Sequence, residues 1–517
     1  QIKSSGAEGL WVALAGRDAI NFATQAKEFG ILDKIFVAGV SFVTDNNVKT
    51  LGATSKGIWG IINYSSTLDT PANKAFVEAW KKKYNGDEPA SFEGETYLGM
   101  QVIFQAVEKA KSVKPLDVAK ALHIARSGRP GPVHLSLPSD LLDEEVDAAR
   151  GAIPDRLPGA APGALPDAIA DAVLDAIAKA RAPLIIAAPH LSGPHGRPIL
   201  AELEKAVQAP VVLMESPRGI RDATLGAFSQ LLKQTDLIVL LGKPLDFTLK
   251  WAQPPVVEPT CRVISIDAEA ALLDRAQGEI GERLALGVIG EARAAVRTLT
   301  ERGLKSTPRA ATWLAEARRL LDHRPESWAT LTGKNGRLHA VEVFTALKPI
   351  VLRDPNTVLI CDGGEFAQWG QSLIQPPRRV VNGVAGSIGA GIPFAVAARA
   401  WEPKAPIITV VGDGTFGFHM SEFDTAVRHN LPFVAIVGTD AMWNAESQIQ
   451  LRDYGAQRMH GCSLLPTRYD QVVTALGGHG EFVEDAATLP AAIERAIASG
   501  KPACVNVMIE PIAAPVI

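Results

Sequence analysis

The residues with the clearest capacity for chemistry follow two short apolar runs near the C-terminal end of the sequence. Gly412-Asp413-Gly414-Thr415 comes directly after the run 407–411, and Asp440 comes shortly after the run 433–437. Short apolar runs bounded by turn residues are typical of buried parallel strands. In open α/β sheets, ligands bind at the edge formed by the carboxyl ends of such strands. We therefore expect the two carboxylates to lie side by side at one sheet edge.

These residue types suit a metal ion that bridges to phosphate. Glycines allow a phosphate to approach the backbone closely, and free N–H groups at the start of a helix bind anions. Carboxylate oxygens are ligands that hard divalent cations such as Mg²⁺ prefer. We predict Asp413 and Asp440 as Mg²⁺ ligands beside a diphosphate held by Gly412 to Thr415. The alternative is that both are ordinary carboxylates at strand ends.

Apolar runs alternate with amphipathic stretches along the whole chain, which predicts an α/β fold with several doubly wound parallel-sheet domains in series. The first layer spans 1–121, with strands at 9–15, 34–40 and 57–63 and helices at 18–29, 70–84 and 92–111. A Pro/Ala/Gly-rich linker at 152–166 indicates a domain boundary. A central domain follows at 166–330, the stretch 300–335 reads as a polar helical connector, and a last domain covers 336–517.

Composition is that of an ordinary globular protein. The 517 residues are 47% hydrophobic and 21% charged, and the formal net charge is −4. This charge balance argues against a nucleic-acid binder and a polybasic membrane-surface protein. No run approaches the roughly 18 apolar residues needed for a membrane span. The four cysteines form no C-x-x-C pair and no signal peptide is recognisable, so we expect a cytoplasmic protein.

The run 412–432, together with Gly386-Ser387-Ile388-Gly389 and Gly391-Ile392-Pro393, resembles the diphosphate-binding domain of thiamine-diphosphate-dependent enzymes. The most similar group is that of acetolactate-synthase-like decarboxylases and carboligases. The resemblance covers about 122–517 and includes the central stretch 245–249. It implies thiamine diphosphate and Mg²⁺ as cofactors, a 2-oxo acid as substrate, and a homodimer or homotetramer.

The resemblance also implies roles for individual residues. Asp413 corresponds to the first Mg²⁺ ligand. Thr439 and Asp440 stand where the family usually has two asparagines, and Met442 would offer its carbonyl to the metal. Gly412, Gly414 and Thr415 would bind the diphosphate. Ile388 corresponds to the apolar wedge that bends the cofactor, and Gly386 to the residue whose carbonyl holds the aminopyrimidine.

The family's first domain carries a glutamate that protonates the aminopyrimidine, and this chain departs from that pattern. Only the stretch 122–150 resembles the end of the domain, which makes it a remnant. Glu93 and Glu95 are the nearest candidates by position, although surface carboxylates at a helix start are the more ordinary interpretation. The catalytic residue is therefore unknown from the sequence.

Residues 1–121 resemble instead the C-terminal part of a type I periplasmic solute-binding protein of the branched-chain amino acid or amide group. The resemblance rests on Gly16-Arg17-Asp18-Ala19-Ile20-Asn21-Phe22, on 24–30 and on Phe36-Val37-Ala38-Gly39-Val40. It would make Arg17 and Tyr97 former ligand contacts.

Three hypotheses follow. The chain is a thiamine-diphosphate enzyme impaired by the missing domain, a solute-binding module of a transporter, or a non-functional fusion of two gene fragments. Whether the central domain binds FAD, another nucleotide or nothing stays open, because no Gly-x-Gly-x-x-Gly is present. Secondary candidates near the predicted site, each with an ordinary packing or surface role as the alternative, are His419, His429, His460, Trp443, Asn444, Glu446 and Gln448.

Overall fold

The computed structural model of the chain describes residues 2, 5–14, 16–40, 42–61, 65–89, 125, 131, 165–304 and 310–517. The predicted helix at 92–111, the remnant at 122–150 apart from 125 and 131, and Glu93, Glu95 and Tyr97 lie outside these residues. The chain divides into two units, Gln1–Ala125 with Gly131–Gly159, and Arg126–Pro130 with Ala160–Ile517. Each unit is described by itself.

The first unit contains a three-stranded parallel sheet in sequential order. Its elements are β1 (Gly9–Val12), α1 (Gly16–Glu28), β2 (Phe36–Val40), α2 (Asp45–Leu51), β3 (Ile58–Ile61) and α3 (Pro71–Lys83). Val12 and Val37 of the sheet pack against Ala19 and Ala23 of α1 in one small core. The predicted strands and the first two predicted helices of this region are confirmed, with bounds that differ by a few residues.

The second unit begins with a five-stranded parallel sheet in the order β5-β4-β6-β7-β8. Its strands are β4 (Pro183–Ala187), β5 (Val211–Leu213), β6 (Leu237–Leu241), β7 (Arg262–Asp267) and β8 (Leu284–Ile289). Its helices are α4 (Asp167–Lys179), α5 (Gly196–Val207), α6 (Phe228–Gln234), α7 (Ala270–Ile280), α8 (Ala292–Arg302) and α9 (Ala310–Leu321). Every residue of β4 and β6 is buried, as expected for strands that are covered on both faces.

Helix α9 corrects one sequence-based interpretation. The stretch 300–335 was expected to connect two domains, but Trp313, Ala317 and Leu320 of α9 are buried in the core of the central sheet. The indole Nε1 of Trp313 donates a hydrogen bond of 2.8 Å to the carbonyl oxygen of Pro183 in β4. The polar residues that suggested a connector occupy the outer face of this amphipathic helix.

The C-terminal part of the second unit is a six-stranded parallel sheet in the order β10-β9-β11-β12-β14-β13. Its strands are β9 (Val358–Asp362), β10 (Arg378–Val381), β11 (Ile407–Gly412), β12 (Val434–Thr439), β13 (His479–Val483) and β14 (Ala503–Met508). Its helices are α10 (Ala340–Leu352), α11 (Gly364–Leu373), α12 (Gly391–Trp401), α13 (Asp413–Gly417), α14 (Glu422–Arg428), α15 (Asn444–Tyr454), α16 (Tyr469–Ala475) and α17 (Leu489–Ala498). The strand order reverses between β9 and β11, which is where open α/β sheets leave a ligand crevice.

These three parallel sheets with their flanking helices confirm the predicted α/β class. In the described part of the chain, every helix is too short or too polar to cross a lipid bilayer.

The packing of α9 leads to a prediction about stability. Replacing Trp313, which is 8% exposed, by alanine leaves a cavity and an unpaired carbonyl, and we expect a loss of about 3–5 kcal/mol in the unfolding free energy. Trp401→Ala is the matched control, because that indole is 83% exposed. Chemical denaturation of both variants measures the difference. Equal stability of the two variants would show that α9 is only a connector.

Candidate active site

Asp413 and Asp440 lie together at the carboxyl edge of the C-terminal sheet. Gly412 and Gly438 are register partners in the adjacent strands β11 and β12, and the two aspartates follow these glycines. Asp413 is 1% exposed and Asp440 is 7% exposed. The two carboxyl groups are close enough for each to influence the pKa of the other. The parallel register thus brings the two predicted carboxylates into direct contact.

Backbone N–H groups fix both side chains. Asp413 accepts hydrogen bonds of 2.8 Å from the N–H of Gly414 at Oδ1 and from the N–H of Ala441 at Oδ2. Asp440 Oδ1 accepts a hydrogen bond of 3.0 Å from the N–H of Met442. The loop after β12 therefore wraps around both carboxylates and sets their direction.

Burial raises the pKa of both carboxyl groups above the usual range, because water that would stabilise the charged forms is excluded. The charge of Asp413 raises the pKa of Asp440 further. Among the described residues, no lysine or arginine forms an ion pair with either side chain, and no third His, Cys, Asp or Glu completes a metal cluster with them. A bound divalent cation would supply the missing positive charge.

A cavity of about 60 Å³ lies over these carboxylates. A Cβ atom added at Gly412 would meet nothing within 4 Å, so this position offers open space inside the cavity. At Gly414 a Cβ would lie 2.8 Å from the Trp443 ring, so the close packing of the indole requires glycine. The predicted site residues that line the cavity are Ile388, Gly412, Asp413, Gly414, Thr415, Asp440 and Met442. Gly386 is not among the lining residues.

The sequence analysis missed Asp362, the last residue of β9, which is 2% exposed. Its Oδ2 accepts hydrogen bonds from the N–H groups of Gly389, at 3.0 Å, and Gly391, at 2.5 Å. It thereby holds the glycine-rich segment that carries Ile388. Its signal in the sequence is an aspartate at the end of an apolar run, directly before Gly363-Gly364, which is the same pattern that identified Asp413.

The secondary candidates separate into three groups. Trp443, Asn444 and Glu446 line the cavity, as does Glu365, which the sequence analysis did not single out. His429 and His460 are exposed and outside it. The remaining two make structural contacts, since His419 Nδ1 lies 2.7 Å from the carbonyl oxygen of Gly389 and Gln448 bonds to Asn444.

A larger cavity of about 510 Å³ lies between the loop after β4 and the edge strand β10. Its arginines are already neutralised, because Arg378 pairs with Glu402 and Arg379 pairs with Glu215. The smaller cavity is the better candidate for chemistry, because the buried carboxylates of Asp413 and Asp440 in its wall form no ion pair with a described cation.

Comparison with known proteins agrees with this geometry. Residues 362–507 match the family model of the thiamine pyrophosphate enzyme C-terminal, TPP-binding domain. Residues 1–126 match the family model of periplasmic binding proteins. Both resemblances found in the sequence, and their succession in one chain, are thereby confirmed.

The individual relatives are enzymes. The chain is 31% identical over 343 residues to a probable acetolactate synthase of Mycobacterium bovis. The aligned residues cover 64% of this chain and 60% of the relative. It is 25% identical over 436 residues to human 2-hydroxyacyl-CoA lyase 1, and here the aligned residues cover 79% of this chain and 74% of the relative. The chain thus spans about three fifths of the length of the acetolactate synthase.

The raised pKa values predict how the metal-free protein responds to pH. A carboxyl group whose pKa is higher in the folded state keeps its proton where the unfolded chain has lost it, so stability is present at low pH and falls as pH rises through the raised pKa. We expect a loss of about 1.4 kcal/mol per pH unit for each such group.

Asp440→Asn removes one of the two acids, so its stability should fall less steeply than that of the unchanged protein. Denaturation midpoints measured from about pH 5 to pH 9 in the presence of a chelator test this. The exposed Asp274→Asn serves as control and should follow the unchanged protein. Parallel curves for all three proteins would refute the assignment.

Proposed function

We propose that the second unit binds thiamine diphosphate and Mg²⁺ and is built for the chemistry of 2-oxo acid decarboxylases and carboligases. The observation that carries this proposal is the pair of contacting, buried carboxylates at the ends of β11 and β12, beside the open space over Gly412. In this proposal 166–330 is the central domain and 336–517 is the cofactor-binding domain.

The donor set fits a hard cation. Asp413 and Asp440 offer carboxylate oxygens, and Met442 lines the same cavity and would add its backbone carbonyl. Asp440 stands where relatives of this family usually have an amide, so the site carries one more negative charge. That charge strengthens attraction to Mg²⁺ and makes metal binding compete with protonation.

The cavity volume of about 60 Å³ suits the metal and phosphate end of the cofactor and not the whole molecule. Gly412, Gly414 and Thr415 would face the diphosphate. Ile388 would support the cofactor's bend, because Asp362 fixes the segment on either side of it through Gly389 and Gly391. Gly386 lies outside the cavity and is the candidate for the aminopyrimidine end.

When bound, the cofactor supplies the electron sink for the bond that breaks next to the substrate carbonyl. The described residues would hold the metal, orient the cofactor and exclude water from its diphosphate end. Two relatives are named acetolactate synthase and 2-hydroxyacyl-CoA lyase, which supports carbon–carbon bond cleavage or formation as the reaction class. A 2-oxo acid is the proposed substrate and a homodimer or homotetramer the proposed assembly.

We also propose that the chain alone is catalytically impaired. Where the family carries its glutamate-bearing domain, residues 1–126 match a periplasmic binding protein. The aminopyrimidine would then lack its acid. The same match is the observation that favours the second candidate function, a solute-binding module. Without a partner for either half, the chain is a non-functional fusion.

The first functional prediction concerns binding. Thiamine diphosphate should bind in calorimetry only when Mg²⁺ is present, and Asp413→Ala should abolish that binding, because it removes a metal ligand. The exposed Asp485→Ala is the control and should bind normally. Unchanged binding by Asp413→Ala would rule out the metal assignment.

The second functional prediction concerns turnover. With saturating thiamine diphosphate and Mg²⁺, the purified chain should decarboxylate pyruvate at a rate far below the roughly 10 s⁻¹ typical of enzymes. Mixing with an intact relative that contributes its first domain in a mixed dimer should raise the rate. Normal turnover by the chain alone would show that a carboxylate elsewhere replaces the glutamate, and Glu93 and Glu95 would be tested first.

A further inference from the structure

A third buried carboxylate lines the candidate cofactor cavity. Glu365 is the second residue of α11, is 6% exposed, and borders the same space as Asp413 and Asp440. Both of its oxygens are engaged. Oε1 accepts a hydrogen bond of 2.7 Å from Nη2 of Arg218, and Oε2 accepts one from the backbone N–H of Ala514. The side chain is therefore locked in place and carries its charge next to the cavity.

The arginine comes from the central sheet. Arg218 lies in the loop that follows β5, and its side chain is 33% exposed. The position of this loop is fixed, because Gly219 has a φ of +56° and a Cβ there would lie 2.1 Å from the backbone oxygen of Thr248. Pro217 of the same loop packs 3.4 Å from the Cβ position of Gly386. One short loop of the central sheet therefore contacts both the glycine segment and α11 of the C-terminal sheet.

The ion pair between Arg218 and Glu365 affects the charge that a bound diphosphate would meet in this cavity. A diphosphate is anionic, and Asp413 and Asp440 are compensated by the metal in the proposed complex. The described hydrogen bonds of Glu365 go to Arg218 and Ala514 and not to that pair, and its charge is compensated by Arg218. If Arg218 were absent, a buried carboxylate without its cation would face the diphosphate and repel it.

We infer that Arg218 and Glu365 form an interdomain clamp that sets the affinity of this site for the diphosphate group, so that the central domain has a positioning role in cofactor binding. This inference rests on the proposed function of the site. Neither residue hydrogen-bonds to Asp413 or Asp440 among the described contacts, so the clamp lies outside the proposed set of metal ligands.

The test is a double-mutant cycle on the full chain. Arg218→Met keeps the length and apolar stem of the side chain and removes its charge, and it should weaken thiamine diphosphate binding by about tenfold or more at saturating Mg²⁺. Glu365→Gln removes the repelling charge and should bind within about threefold of the unchanged protein. The double variant should regain most of the affinity lost in Arg218→Met.

Three measurements separate this role from a structural one. Calorimetry should rank the variants in the same order of affinity for thiamine diphosphate and for inorganic pyrophosphate, because the diphosphate group is the part of the ligand that the charge of Glu365 repels. The affinity for Mn²⁺ alone should stay within about twofold. Arg353→Met, which breaks an exposed ion pair with Glu494, is the control and should leave every affinity unchanged.

The outcomes distinguish the two proposals. If the unchanged protein binds neither thiamine diphosphate nor pyrophosphate, the proposed function fails and the clamp with it. If the unchanged protein binds and Arg218→Met binds equally well, the clamp alone is refuted. If the double variant is as weak as Arg218→Met, the arginine acts by holding the structure and the electrostatic role is refuted.

Discussion

The organisation of the second unit depends on one constraint, the parallel register that places Gly412 beside Gly438 and so forces two carboxylates into contact. Two buried like charges oppose folding unless protons or a cation compensate them. Hydrogen bonds donated to the two carboxylates by the backbone N–H groups of Gly414, Ala441 and Met442 offset part of this cost. A stable pair of this kind needs rigid strands, and β11 and β12 are buried along almost their whole length.

The central sheet is connected to this arrangement more closely than a separate domain would need to be. Helix α9 closes the central core, and Arg218 in the loop after β5 pairs with Glu365, which lines the cavity. Glu365 in turn holds Ala514 of the C-terminal segment. Three parts of the chain that are distant in sequence, at Arg218, Glu365 and Ala514, are therefore joined through one carboxylate. A change in any of them would alter the position of this side chain in the cavity wall.

Local sequence patterns predicted the class of the fold and most of the site, because buried parallel strands are continuous apolar runs whose ends are easy to locate. The strands that escaped prediction, β8, β10 and β13, are all edge strands. β10 and β13 contain half-buried charged residues such as Arg378 and Glu481, so their pattern is not apolar, whereas β8 is apolar in sequence and was simply overlooked. Asp362 could have been found by the rule that found Asp413. The Arg218–Glu365 contact could not, because it joins residues 147 positions apart and no local pattern encodes it.

The backbone N–H groups around Asp413 and Asp440 also bear on ion selectivity. Flexible ligands can move apart to accommodate a large cation, whereas carboxylate oxygens held by backbone N–H groups cannot. Ca²⁺ requires six to eight oxygens at 2.3–2.6 Å, and Mg²⁺ accepts a compact octahedron that water and phosphate can complete. If the site binds a divalent cation as proposed, two carboxylates held by backbone N–H groups would therefore favour the smaller ion over Ca²⁺.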